Sequence, residues 1–184
     1  MVGIAGSDHH MIRLGDSEIV KETTLCFLVQ GNPPQHLLLG FKKEGFGAGK
    51  ITGFGGKVES GETPVAAAIR ELEEETGIRV ASDDLEAVGL LYFLFPEKPA
   101  WSQLVHVFIA KSWAGIPREG REMRPAWYAV DEIPYERMWH DGSYWLPRFL
   151  IGERIRGRFV FDADNETVAD VAIDVWEDCG DGEQ

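Results

Sequence analysis

Residues 56–78 read GKVESGETPVAAAIRELEEETGI, and this stretch decides the fold of the chain. Thr63 followed by Pro64 supplies an N-cap and a first helical position whose φ is already fixed. Gly77 can adopt the left-handed conformation that commonly follows the last turn of a helix. The stretch therefore predicts a helix from Pro64 to Thr76.

Two stripes run along this predicted helix. The apolar stripe has the i, i+3, i+4, i+7 spacing of a buried face, and its members are Val65, Ala68, Ile69 and Leu72. The acidic stripe adjoins it, and its members are Glu71, Glu74 and Glu75. Because like charges at such spacings repel each other, the acidic stripe predicts a bound cation. Ligands that are all oxygens favour Mg²⁺, for which Mn²⁺ can substitute.

The residues around the acidic stripe bear on this prediction. Arg70 lies four residues before Glu74 and is predicted to hold that carboxylate in place. Glu73 points to the opposite side and is predicted to be solvated. A Glu-rich helix end is more often only a solvated face. The glycine loop at 53–57 favours a binding site instead, because it permits close backbone approach to a ligand and leads directly into the helix.

Length and composition predict one domain. The chain has 184 residues, of which 44% are hydrophobic, enough for one substantial core and too few to expect two. We expect a flexible leader at residues 1–20, a single domain at 21–176 and a flexible tail at 177–184. Cys26 and Cys179 have no metal or redox spacing, and Cys26 is expected to behave as a small buried hydrophobe.

The charge of the chain excludes some partners. A net charge of −13 argues against binding to nucleic-acid polymers or anionic membranes, which require a broad basic surface. A small anion remains compatible, with Lys42 as a phosphate contact. No signal peptide and no run of about 18 apolar residues is found. We therefore expect a protein of the cytoplasm that acts on a small molecule. We also expect a monomer, although no feature of the sequence fixes the oligomeric state.

The remaining periodicity predicts a mixed sheet with helices packed on both sides, an α/β (α+β) sandwich of the α/β/α kind. The predicted strands are Thr23–Val29, His36–Phe41, Glu86–Phe95, Gln103–Ala110, Ala126–Val130, Arg158–Phe161 and Val168–Val175. The last two are predicted to form a hairpin. Two further segments have helical character, Asp131–Met138 and Ser143–Ile151.

Four segments outside the helix carry a resemblance to a known family. They are GFKKEGFGAGK (40–50), GFGGK (53–57), EMRPAWY (122–128) and MWHDGSYWLP (138–147). Together with the pattern G(x5)E(x7)REUxEExGU of residues 56–78, where U is aliphatic, they resemble the Nudix hydrolases of the MutT type. Within that type the chain is most similar to the animal oxidised-purine nucleoside triphosphatases, from about Thr24 to Trp176. The resemblance implies a Nudix fold and hydrolysis of purine nucleoside triphosphates, favouring 8-oxo-dGTP, to monophosphate and pyrophosphate. Such an enzyme sanitises the nucleotide pool.

The resemblance also implies a metal site and a mechanism. The implied Mg²⁺ ligands are Glu71, Glu74, Glu75, Glu122 and the backbone carbonyl of Gly55. The same four glutamates and Arg70 would form the catalytic set. Water would attack phosphorus directly, without a covalent intermediate, and the general base would be Glu75, Glu74 or Glu122.

A base pocket is implied as well. Its residues would be Thr24, Lys42, Phe46, Thr52, Gly56, Phe93, Trp139 and Asp141. Trp139 would stack on the purine and Asp141 would hydrogen-bond its edge. Three positions depart from the animal enzymes: Thr52 stands where they carry Asn, Gly142 where they carry a second Asp, and Ile51 where they carry Trp. A Thr hydroxyl cannot reproduce both contacts of a planar amide, so substrate choice stays open.

Two other functions remain compatible with these residues. The first is a Nudix pyrophosphohydrolase that acts on other modified or ordinary nucleotides, or on RNA 5′ ends. The second is a noncatalytic nucleotide-binding sensor, which would bind without turnover. The intact set of acids favours hydrolysis over sensing.

Overall fold

One mixed sheet organises this computed structural model, which describes residues 21–176. The predicted leader and tail lie outside the described residues, so the predicted division of the chain stays a prediction. The strands of the described part are β1 (Lys21–Gln30), β2 (His36–Lys42), β3 (Ile51–Thr52), β4 (Leu85–Leu94), β5 (Gln103–Ala110), β6 (Met123–Ala129), β7 (Ile155–Phe161) and β8 (Val168–Val175). The α-helices are α1 (Pro64–Thr76) and α2 (Gly142–Leu150). Short 3₁₀ turns occupy Ser82–Asp84, Pro99–Trp101 and Tyr135–Arg137.

The strand order creates the space for a site. The sheet runs β3-β2-β1-β5-β4-β7-β8, with β6 paired to β2. The pairs β1–β5 and β4–β7 are parallel and the others antiparallel. β2 pairs with β1 only through residues 36–38 and with β3 through residues 40–41. Where β1 leaves β2, the glycine loop runs beside β1, with bridges from Cys26 to Phe54 and from Thr23 to Lys57.

Two hydrophobic clusters flank the sheet because side chains alternate along each strand. On β1, Cys26 and Leu28 join the cluster that contains Leu72 of α1. Phe27 and Val29 belong to the other cluster, which contains the buried residues of α2. This arrangement confirms the predicted fold class of helices on both faces of a mixed sheet. The Cys26 thiol is buried and free, and burial raises its pKa to about 12.

Helix α1 has the predicted ends. The Thr63 hydroxyl accepts a hydrogen bond from the Ala66 amide at 3.2 Å, and Gly77 has φ of 74° with its amide donating to the Glu73 carbonyl at 2.8 Å. Its buried face differs slightly from the predicted stripe, since Val65 and Ile69 are only half-buried. The buried residues of α1 are Ala67, Ala68, Leu72, Glu75 and Thr76. The helix is thus rotated so that Glu75 faces inward.

Several predicted elements need correction. Asp131–Met138 is not a helix and contains only the 3₁₀ turn Tyr135–Arg137. Pro134 explains this, because proline lacks an amide donor and disfavours helical conformation in the residue before it. β6 begins three residues earlier than predicted, at Met123, and β7 begins at Ile155. The short strand β3 was not predicted. The hairpin of β7 and β8 is confirmed.

No helix within residues 21–176 has the length and apolar character needed to cross a membrane.

Candidate active site

A cleft of about 270 Å³ gathers most of the predicted site residues. The predicted residues that line it are Thr24, Lys42, Phe46, Thr52, Gly55, Gly56, Glu75, Phe93, Glu122, Trp139 and Asp141. They come from β1, the end of β2, the segment between β2 and α1, the inner face of α1, β4, the loop before β6 and the segment just before α2. Arg70, Glu71 and Glu74 do not line the cleft.

Glu75 is the central acid of the cleft. Its carboxylate is buried, with Oε1 3.1 Å from Lys42 Nζ and Oε2 accepting a hydrogen bond from the Gly55 amide at 3.0 Å. Burial raises the pKa of Glu75 to about 7, although Lys42 and the Gly55 amide both oppose this rise. The carboxylate is therefore held in a position where its proton affinity suits proton transfer near neutral pH.

Lys42 connects Glu75 to Glu122. Its ammonium nitrogen is 3.0 Å from Glu122 Oε2 as well as 3.1 Å from Glu75 Oε1. Burial by itself would lower the pKa of Lys42, but the attraction of the two carboxylates outweighs it and the pKa is raised. Glu122 reaches this position because the loop before β6 packs against β2, with the Lys43 amide donating to the Glu122 carbonyl at 2.8 Å.

Arg70 and Glu71 lie just outside the cleft and lock the segment before α1 to the helix. The Arg70 guanidinium donates to Glu62 Oε1 at 2.9 Å, to Glu71 Oε1 at 2.7 Å and to the Lys57 carbonyl at 3.0 Å. Its contact with Glu74, the predicted partner, is its longest at 3.7 Å. Arg70 thus orients Glu71 more than Glu74. The Glu71 carboxylate rests directly against the Gly56 backbone, so a Cβ at Gly56 would overlap it.

The other two acids of the helix face away from the cleft. The Glu74 side chain is 62% exposed, so only Glu71 and Glu75 of the predicted acidic stripe turn inward. Glu73 is exposed, as predicted, and its carboxylate is 3.3 Å from Arg79 Nε. The rotation of α1 that buries Glu75 accounts for this division.

The donor set fits a divalent cation in its chemistry. Glu71, Glu75, Glu122 and the Gly55 carbonyl offer only oxygen, which suits Mg²⁺ or Mn²⁺. The Lys42 ammonium, held between two of these carboxylates, occupies a place to which positive charge is drawn. In the described part of the chain, no three His, Cys, Asp or Glu side chains converge on one point as they stand.

Another part of the cleft lining is aromatic, and we call it the aromatic end. Trp139 and Phe46 are stacked there with ring centroids 5.3 Å apart and an interplanar angle of 19°. Behind them Phe95 and Phe161 are stacked at 4.2 Å and 8°. Phe95, Phe161 and Trp145 line the cleft, although they were absent from the predicted set. Phe95 follows Phe93 by two residues, just past the end of β4, and the alternation of strand side chains would have placed it on the same face.

Asp141 is the polar group of the aromatic end. It is buried, and its Oδ2 accepts a hydrogen bond from Trp145 Nε1 at 2.7 Å. Burial raises the pKa of Asp141 to about 6, although the Trp145 hydrogen bond opposes this rise. Thr52 also lines the cleft and is half-buried. A carboxyl and a hydroxyl are thus available to a flat polar ligand that stacks beside them.

Asp141→Asn is expected to make stability less dependent on pH. The folded-state pKa of Asp141 is raised, so its carboxyl stabilises the fold below about pH 4, and this contribution is lost as pH rises through about 6. Above that pH the buried charge costs about 3 kcal/mol, which an uncharged Asn avoids. Urea unfolding at pH 4 and pH 7.5 should show the variant gaining on the wild type at the higher pH. An equal difference at both pH values would contradict this explanation.

Comparisons with known proteins show similarities in sequence and in fold. Residues 21–149 match the NUDIX domain. The chain is 44% identical over 150 residues to the oxidized purine nucleoside triphosphate hydrolase of Mus musculus, which covers 82% of this chain and 92% of the mouse protein. The protein of the same name from Danio rerio is 43% identical over 158 residues, covering 86% of this chain and 97% of the fish protein. A crystal structure of a MutT protein from Bacillus halodurans superposes with a TM-score of 0.72 at 25% identity, over 84% of this chain and 98% of that chain.

Proposed function

The chain belongs to the NUDIX family, and from that premise we propose that it hydrolyses oxidised purine nucleoside triphosphates to monophosphate and pyrophosphate, favouring 8-oxo-dGTP. It is a Nudix hydrolase, and its relatives from mouse and zebrafish bear the name of this activity. Hydrolysis would remove the oxidised triphosphate from the pool of precursors for DNA synthesis.

One observation carries the proposal: a single cleft joins an aromatic end to a carboxylate end. Trp139 and Asp141 line the first, and Glu75 and Glu122 line the second. A nucleoside triphosphate has the same polarity, with a flat base at one end and phosphates at the other. The cleft therefore supports a ligand that places its base on Trp139 and its phosphates near Glu75.

Nudix hydrolases generally use divalent metals, and Mg²⁺ is the ion that we propose here. Glu71, Glu75, Glu122 and the Gly55 carbonyl would hold it, with Glu74 as a further candidate that must rotate inward to take part. When bound, a divalent cation neutralises phosphate charge and makes a water molecule more acidic.

The chain's own residues would supply orientation and proton transfer. Glu75 is the favoured general base, because its carboxylate lines the cleft and is fixed by the Gly55 amide and by Lys42. Lys42 stands beside it, with its ammonium 3.1 Å from Glu75 Oε1, and would contact a phosphate oxygen of the substrate. Arg70 would keep Glu71 pointed at the loop that carries Gly56.

At the base end, the purine would be recognised by stacking and by hydrogen bonds. Trp139 would stack on the base, and Asp141 and Thr52 would meet its polar edge. Phe93, Phe46 and Thr24 complete the wall. A base that leaves a buried polar group without a hydrogen bond binds more weakly. Asp141 would therefore allow the pocket to discriminate between purines.

The test is a panel of kcat/KM values for 8-oxo-dGTP, 2-hydroxy-dATP, dGTP, dATP and triphosphorylated RNA, measured by pyrophosphate release. We expect 8-oxo-dGTP to exceed dGTP by more than about tenfold, which corresponds to about 1.4 kcal/mol. A smaller ratio would defeat the sanitising assignment and leave a hydrolase of other nucleotides. Action as a monomer in the cytoplasm, without membrane or nucleic-acid polymer as partner, stays a prediction.

A further inference from the structure

Trp101 lies beside the aromatic end of the cleft without lining it. Its ring is in edge contact with Phe46, at a centroid distance of 5.2 Å and an angle of 80°, and with Phe95, at 5.7 Å and 76°. Phe46 in turn stacks on Trp139. A continuous row of rings therefore connects the β4–β5 loop to the wall of the base pocket.

Phe46 is held by a turn and by ring contacts. The Ala48 amide donates to the Gly45 carbonyl at 3.2 Å, and besides Trp101 and Trp139 the Phe46 ring contacts Phe95 at a centroid distance of 6.4 Å and an angle of 89°. It is 44% exposed and lies on the loop between β2 and β3. Gly45 and Gly47 on either side of it have φ of 79° and 78°, a region that glycine enters freely. The turn fixes the backbone of Phe46. Because its side chain is half in solvent, the contacts with Trp139, Trp101 and Phe95 decide where the ring rests.

Trp101, by contrast, is firmly placed. It ends the 3₁₀ turn Pro99–Trp101, and its amide donates to the Lys98 carbonyl at 2.8 Å. The next residue, Ser102, is buried and its hydroxyl accepts a hydrogen bond from the Phe95 amide at 3.0 Å. The Lys98 ammonium lies 4.0 Å from the Trp101 ring centroid. The position of Trp101 is therefore fixed by its own segment, whereas the position of the Phe46 ring depends on the rings that it contacts.

We propose that Trp101 is a positioning residue that holds Phe46 against Trp139 and so shapes the wall of the base pocket. This inference rests on the proposed function, since the wall matters when a purine enters the cleft. Trp101 should act on nucleotide affinity and not on bond cleavage, because its ring contacts reach Phe46 and Phe95, which line the cleft beside Trp139, and not the acids Glu75 and Glu122. Its removal should therefore change KM and leave kcat nearly constant.

The experiment measures kcat and KM of wild type, Trp101→Ala and Trp101→Phe with the purine nucleoside triphosphate that the wild type hydrolyses best. We expect Trp101→Ala to raise KM by about three- to tenfold, the range of an aromatic pair contact, with kcat changed by less than about twofold. Trp101→Phe retains a ring edge and should recover much of the loss. Thermal melts of both variants separate a pocket effect from loss of folding.

Trp113 offers a matched control. It is also a half-buried tryptophan in a stacked pair, with Trp127 at 5.7 Å and 29°, but it packs on the α1 side of the sheet and lies outside the cleft. Trp113→Ala should leave KM unchanged. Removal of Phe46 should also abolish the effect of Trp101, so Trp101→Ala should change KM little in a Phe46→Ala background.

Two results would overturn the inference. One is an equal rise in KM for Trp113→Ala and Trp101→Ala, and the other is an undiminished Trp101 effect when Phe46 is already Ala. A wild type that hydrolyses nothing in the panel would instead overturn the proposed function. In that event the Kd of 8-oxo-dGMP replaces KM as the measured quantity. The role of Trp101 is then tested by comparing Trp101→Ala with Trp113→Ala, and with Trp101→Ala in the Phe46→Ala background.

Discussion

Glu75→Gln is expected to lower kcat by about 10³-fold, within the range attributed to general-base catalysis. Gln keeps the volume and can still accept the hydrogen bond of the Gly55 amide, but it has neither the negative charge nor the proton affinity of the carboxylate. The loss should fall on turnover more than on KM, because the aromatic residues proposed to bind the purine are unchanged. The measurement is steady-state hydrolysis of 8-oxo-dGTP at saturating Mg²⁺.

Glu73→Gln is the matched control for this variant. Glu73 belongs to the same helix two residues earlier, but it is exposed and paired with Arg79 on the outer side. Its substitution should leave kcat within about twofold, as surface changes rarely exceed 0.5 kcal/mol. A Glu75→Gln protein with more than a tenth of wild-type turnover would remove Glu75 from the role of base. Equal inactivity of wild type and variant across all nucleotides would favour the sensor.

Gly55→Ala is expected to damage both stability and activity. A Cβ at this position would overlap the carbonyl oxygen of Thr24, which belongs to the central strand β1 and cannot rotate away. The glycine loop is hydrogen-bonded to β1 on both sides of this point, from Thr24 to Gly56 at 2.8 Å and from Cys26 to Phe54 at 2.6 Å. We expect a loss of about 2 to 3 kcal/mol in the free energy of unfolding, as for an overpacked core.

Activity should fall further than this stability loss explains. Moving the loop also moves the Gly55 amide that fixes Glu75, and a displacement of about 1 Å at a reacting group costs about 10²-fold in rate. Urea unfolding and kcat/KM together check the prediction. Gly61→Ala provides the comparison, because Gly61 also has positive φ but no atom lies near its hypothetical Cβ. Similar losses at the two glycines would show that backbone preference, and not the contact with β1, matters.

Local rules predicted most of the secondary structure. Both ends of helix α1 were predicted correctly, because Thr63, Pro64 and Gly77 affect only the backbone next to them in sequence. The strands β5 and β8 were also predicted with their observed bounds. The segment 131–138 was predicted wrongly because its helical residues outweighed Pro134 in the interpretation, although the proline decides the backbone.

The site also contains residues that were predicted and contacts that were not. The resemblance placed most of the base pocket and Glu75 among the residues that line the cleft. It did not separate Glu74 from Glu71, because helical spacing puts both beside Glu75 and only packing turns Glu74 outward. It also missed the partners of Arg70, since Glu62 lies on a different segment and is brought to the guanidinium by the fold.

The sequence by itself determined the acidic helix, its caps, the alternating strands and the family, because each of these depends on residues close together along the chain. Only the tertiary structure decided that Lys42 lies between Glu75 and Glu122 and that Trp101 supports Phe46. These contacts join residues 33 and 80 positions apart for Lys42, and 55 positions for Phe46 and Trp101. No local preference encodes such pairs. They arise where the end of β2 meets α1 and the loop before β6, and where the β2–β3 loop packs against the β4–β5 loop.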